Sequence, residues 1–126
     1  NKFKDQIIVF NAPDELIKAG YESNTALIKR VVGVPGDKIE IKDGNLYLND
    51  KVQQQYPTDR NINYSIGPLT VPEKTFWVMG DNRNNSLDSH VWGFLPFEKV
   101  IGKAIFRYWP LDNIGAINFP DINKKE

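Results

Sequence analysis

Two stretches of this chain hold side chains that could do chemistry. The first is Leu27-Ile28-Lys29-Arg30-Val31-Val32. Alternate side chains of a strand share a face, so Lys29 would lie with Leu27 and Val31, and Arg30 opposite them with Ile28 and Val32. An ammonium flanked by apolar neighbours is a candidate for desolvation, which disfavours the charged form and lowers the pKa. A lysine that is neutral near working pH can take a proton from a hydroxyl. The plainer alternative is a lysine that snorkels its head to water, and spacing alone leaves both open.

The second stretch runs from Gly80 to His90, Gly-Asp-Asn-Arg-Asn-Asn-Ser-Leu-Asp-Ser-His, directly after the apolar Thr75–Met79. So many short polar side chains favour a tight, self-bonded turn that could hold hydroxyls and charges at one end of a sheet. It is not a calcium loop: counting from Asp81, Arg83 stands third, Ser86 replaces the sixth-position glycine, and Trp92 replaces the closing glutamate. A triad of Ser86 or Ser89 with His90 and Asp88 is disfavoured, because residues this close in sequence rarely converge in that geometry. No nucleophile elbow surrounds either serine. A polar loop that merely joins two strands stays open as the alternative.

The elements that must carry these stretches read mostly as strands. Gln6–Phe10 is an apolar run closed by Asn-Ala-Pro-Asp, followed by one helical turn over Pro13–Lys18. Ala26–Val34 is rich in β-branched residues and is stopped by Pro35-Gly36-Asp37. Lys38–Lys42 alternates, Asp43-Gly44-Asn45 supplies turn chemistry, Leu46–Leu48 returns, and Asn49-Asp50 turns again before Lys51-Val52-Gln53. Gln54–Pro72 reads as loop, Thr75–Met79 as a buried strand, Pro96–Val100 as a helical turn, and Ile101–Trp109 as a last long strand. The polar tail from Asp121 onward is expected to fray. The expected class is mostly β, with antiparallel sheets or a partly open barrel and short helical turns. Residues 1–126 are read as a single domain, with about 38–72 a hairpin-rich insertion between the two chemical stretches.

Composition narrows the classes. The chain has 126 residues, with 16 Lys+Arg against 16 Asp+Glu and no net charge, which argues against a dedicated nucleic-acid binder. There is no cysteine, hence no disulfide framework, thiolate nucleophile or Cys-based zinc site, and His90 is the only histidine. No apolar run approaches the ~20 residues of a membrane-spanning helix. The chain begins at Asn1 and enters an apolar strand almost at once, as a piece of a longer protein would.

Taken together, the stretches resemble type I signal peptidases, the serine–lysine endopeptidases that remove secretory signal peptides. Asp5–Phe10 is similar to an early strand of that family. Ile28-Lys29-Arg30-Val31-Val32-Gly33-Val34-Pro35-Gly36-Asp37 resembles its lysine motif, and Gly80–Pro96 resembles its C-terminal motif. The resemblance implies Lys29 as general base and Ser86 as the hydroxyl that aims its amine. It makes Arg30, Asp81, Arg83 and Asp88 the ionic and hydrogen-bonded scaffold of the site. Arg30, sent to the far face by strand alternation, is expected to reach Asp81 or Asp88. Two positions depart from the usual pattern: His90 stands where arginine is frequent, and Asn84 where aspartate is common.

The resemblance also implies a substrate class, secretory preproteins with small residues before the cut, bound as an added strand. Ala26, Leu27 and Ile28, which precede the base on its strand, are expected to wall that groove. No metal or cofactor is implied. The intact protein would be membrane-anchored with its catalytic domain on the extracytoplasmic side, and an exposed strand edge would permit self-association. The family's Ser-Met-x-Pro-type nucleophile motif does not surround any of Ser23, Ser65, Ser86 or Ser89. The nucleophile is therefore expected upstream of Asn1, and these residues alone are expected not to hydrolyse peptides. Two alternatives remain: a non-catalytic β-domain that binds extended peptides or a partner, and a self-cleaving serine–lysine repressor.

Overall fold

The computed structural model describes residues 1–53, 61–84, 87–104 and 116–117. Its strands are β1 (Ile7–Asn11), β2 (Ala26–Gly33), β3 (Lys38–Lys42), β4 (Asn45–Leu48), β5 (Lys51–Val52), β6 (Ile66–Thr70), β7 (Thr75–Met79), β8 (Leu95–Pro96), β9 (Val100–Lys103) and β10 (Ala116–Ile117). Two short helices, α1 (Asp14–Lys18) and α2 (Ser89–Trp92), and a 3-10 turn at Phe97–Lys99 complete the described elements. One sheet runs β8-β7-β2-β1-β9 with β10 beside β2, and the other runs β5-β4-β3-β6. All pairings are antiparallel. The mostly-β reading is thus the fold observed.

Local chemistry explains the second sheet. Asp43-Gly44 and Asn49-Asp50 are two-residue hairpin loops in which every residue has positive φ. That is the type I′ pattern, whose twist matches the flanking strands. Gln54–Pro72 departs from the expected loop, because Ile66–Thr70 forms β6. Gly67 and Pro68 read as strand breakers, but among the described residues β6 pairs only with β3, at the sheet edge, where a residue without an N–H is tolerated. The last strand is described only over Val100–Lys103, and the expected Tyr108–Trp109 end and Asp121 tail lie outside the described residues. Helix α2 and strand β10 were not expected from sequence.

Burial divides into three clusters. The main core gathers Ile8, Phe10, Leu27, Val31, Phe76, Val78, Trp92 and Leu95. A second joins Val32, Trp77 and Met79 of the first sheet to Ile39, Ile41, Leu46 and Leu48 of the other. The third packs Val9, Ala26 and Ile28 with partly buried Ile7, Ile101 and Ala104. Asp37 ties the turn after β2: its carboxylate accepts from Val34 N at 3.0 Å, from Asn49 Nδ2 at 3.0 Å and from Lys4 Nζ at 3.2 Å.

Candidate active site

Strand β2 lies between β1 and β7, with Ile8 opposite Lys29, and Met79 opposite Arg30. Alternation then acts as the sequence requires. Leu27 and Val31 enter the main core, and Lys29 between them is 7 % exposed. Burial is the dominant influence and pulls the Lys29 pKa below the ordinary 10.5, while the nearby Asp88 carboxylate pulls it up. A shift in that direction favours the neutral amine, the form that proton abstraction needs.

Arg30 points to the other face and pairs with Asp81 through two parallel hydrogen bonds. Nε donates to Oδ1 at 2.9 Å and Nη2 to Oδ2 at 3.0 Å. Its Nη1 donates to the Asp5 carbonyl at 2.9 Å. One guanidinium thus fixes the start of the Asp81–Asp88 loop to the segment entering β1. A forked pair of this kind sets position as well as energy.

Asp88 is wholly buried. Oδ2 accepts from Gly80 N at 3.2 Å, which closes the loop on itself, and Oδ1 accepts from His90 N at 3.2 Å, which caps α2. The His90 Nδ1 contacts the same Oδ1. Arg83 is buried beneath the loop with Nη1 3.8 Å from Met79 Sδ. Burial works against its charge, and Asp81, Tyr64 and Asp88 work for it.

The structure brings Lys29, Arg83 and Asp88 into one electrostatic neighbourhood and puts Arg30 and Asp81 at its edge. Ser86 lies outside the described residues. Ala26 and Ile28 are in the third cluster and Leu27 is in the main core. At Ala26 and Leu27 the strand is paired on both edges, to β1 and to β10.

Three site neighbours have contacts that the sequence did not indicate. Ser89, considered only as a nucleophile, is buried and its Oγ accepts from Val78 N at 2.9 Å, tying α2 to β7. An Asp followed by a short apolar-ended run was the available signal for a capped helix there. Tyr64 stacks on His90 with ring centroids 3.8 Å apart at 11°. Asn84 binds residues 61 and 63 at 2.7 Å each. Asn84 stands out only as a departure from the family's usual aspartate, and nothing local in the sequence indicates its partners or those of Tyr64.

Comparison with known proteins identifies the family. Residues 3–109 match the family described as signal peptidase, peptidase S26. The chain belongs to that family. It is 41% identical over 114 residues to the probable signal peptidase I-2 of Synechocystis sp., across 90% of this chain and 51% of that one. It is 42% identical over 118 residues to the thylakoidal processing peptidase 1 of Arabidopsis thaliana, across 91% of this chain and 35% of that one. The chain therefore spans about half or less of these relatives. A signal peptidase I from Enterococcus faecalis shares the fold, with a TM-score of 0.65 and 28% identity over 81% of this chain and 95% of that one. Among the described residues no helix is long and apolar enough to cross a membrane.

Proposed function

We propose that this chain carries the base and scaffold of a serine–lysine endopeptidase that removes signal peptides from secretory preproteins. The observation that supports this most is the Lys29 amine, buried between Leu27 and Val31 with its charge disfavoured and Asp88 close by. The neutral amine takes the proton of a serine hydroxyl, and the serine oxygen attacks the carbonyl at the cleavage site. The ammonium so formed gives its proton to the leaving amine, and water then hydrolyses the acyl-enzyme. Ser86 is assigned the aiming of the Lys29 amine. Arg30, Asp81, Arg83 and Asp88 hold the loop that bears it. The attacking serine is assigned to a segment outside these 126 residues, since none of the four serines stands in the family's nucleophile motif.

Ala26, Leu27 and Ile28 are assigned to the wall of the substrate groove. With β2 paired on both edges at Ala26 and Leu27, side-chain size is what they would offer, and the methyl of Ala26 would admit a small residue before the cut. The reading places the intact protein at a membrane, with this domain on the extracytoplasmic side.

The test is a preprotein cleavage assay on the chain extended upstream by the family's serine segment. Cleavage is expected, lost in Lys29→Met, and rising with pH through the Lys29 titration. An extended, folded chain that leaves preproteins intact would overturn the proposal. Lys29-dependent cleavage by the 126 residues alone would overturn the assignment of the serine.

A further inference from the structure

The loop that bears Asp88 is held from two sides. The ties to β2 and β7 come from its own sheet: Arg30 on Asp81, and Val78 N on Ser89 Oγ. A second set comes from the segment 61–64 that leads into β6 of the other sheet. Asn84 Oδ1 accepts from Asn63 N, and Asn84 Nδ2 donates to the Asn61 carbonyl, each at 2.7 Å. One residue on, Tyr64 lies flat on the His90 ring, 3.8 Å between centroids. His90 in turn contacts Asp88 Oδ1, and Asp88 is the carboxylate that acts on Lys29.

We propose that Asn84, Tyr64 and His90 form a latch by which the second sheet positions Asp88 and closes the Lys29 site to water. The three are positioning residues, and the inference rests on the reading of Lys29 as a general base. The side chains at 84 and 90 each have a physical use in this arrangement. An amide at 84 accepts from one backbone group and donates to another, whereas an ionised carboxylate can only accept. An imidazole at 90 offers a flat face for stacking together with a ring nitrogen for Asp88.

The groups around Asp88 are Lys29 from β2, Arg83 and His90 from the loop and helix, and Tyr64 from the segment entering β6. Tyr64 OH is buried and makes no hydrogen bond among the described residues, so the ring, not the hydroxyl, is what the latch uses. Removing the ring would wet the site. Loosening Asp88 would lower the Lys29 pKa and wetting would raise it; burial is the larger influence, so the net change is upward.

The test reads Lys29 directly in the 126-residue chain, by NMR titration of lysine labelled at Cε. It needs no cleavage, so a missing peptidase activity would count against the proposed function and leave the latch standing. Tyr64→Leu is expected to raise the Lys29 midpoint by about 0.5 pH unit or more, a roughly threefold rise in proton affinity. Tyr64→Phe should restore the wild-type midpoint. Asn84→Ala, which removes both backbone bonds while adding no charge and retaining the ring, should raise it by a smaller amount and answers the question if Tyr64→Leu does not fold. An unmoved or lowered midpoint in folded Tyr64→Leu or Asn84→Ala would overturn the latch, as would a Tyr64→Phe midpoint that follows Tyr64→Leu.

Discussion

Because burial holds the Lys29 pKa below 10.5, Lys29 makes the fold's stability depend on pH. Between the folded value and about 10.5 the unfolded chain binds more protons, so stability rises with pH through that window. Below the window the full cost of the buried charge is felt. Tyr64 acts in the opposite sense, since burial raises its pKa above 10.0 and its contribution falls once the unfolded phenol ionises. The clean window therefore closes near pH 10. Urea denaturation of wild type and Lys29→Met, compared from neutral pH to about pH 10, isolates the lysine because groups common to both cancel. The stability difference should shrink with rising pH, by at most about 1.4 kcal/mol per pH unit within the window. A difference that stays constant would mean that Lys29 is not desolvated. The Arg30–Asp81 pair is a second matter at this scale. Two charge-assisted hydrogen bonds between mostly buried partners should give a coupling of about 1–2 kcal/mol in a double-mutant cycle of Arg30→Met and Asp81→Ala, well above an exposed ion pair.

Strand β7 and helix α2 act as one element because Val78 N finds its acceptor in the Ser89 side chain. Both residues are buried. Ser89→Ala leaves the Val78 amide with no acceptor in a dry place and should cost about 1–3 kcal/mol. Chemical denaturation checks this, and a cost below a few tenths of a kcal/mol would show that water or the backbone replaces the hydroxyl. Strand β6 has its own constraint at Gly67, whose φ is 87° and whose Cβ would stand 2.5 Å from the Ile39 carbonyl oxygen. Gly67→Ala is expected to destabilise by more than about 1 kcal/mol through that contact and its left-handed backbone. It should do so while leaving the main core intact, because β6 lies at the far edge of the second sheet.

The two sheets are joined by a shared core at the scale of the whole molecule. Val32, Trp77 and Met79 from β2 and β7 pack with Ile39, Ile41, Leu46 and Leu48 from β3 and β4. A core held in common ties the unfolding of one sheet to the other. Trp77→Ala should cost about 3–5 kcal/mol and lower amide protection at Ile8 and Ile41 together. Loss of protection at Ile41 alone would show that the sheets open separately. The contacts of residues 61–64 with Asn84 and His90 are a second connection, between the segment entering β6 and the loop and helix beside β7.

Much of this was legible in the residues themselves. Period-two alternation put Lys29 on the face of Leu27 and Val31, with Arg30 opposite; Asp-Gly and Asn-Asp marked the two hairpin loops; and a run of polar residues marked the loop that holds Asp88. These are local facts, because side-chain direction and turn type are set within a few residues of backbone. Strand β6 was hidden by Gly67 and Pro68, whose effect depends on lying at a sheet edge. Tertiary structure alone decided that Asp88 meets Lys29, that Tyr64 covers His90, and that Asn84 is held by residues more than twenty positions away. Such contacts follow from how two sheets pack through a common core, and no local pattern of residues records that.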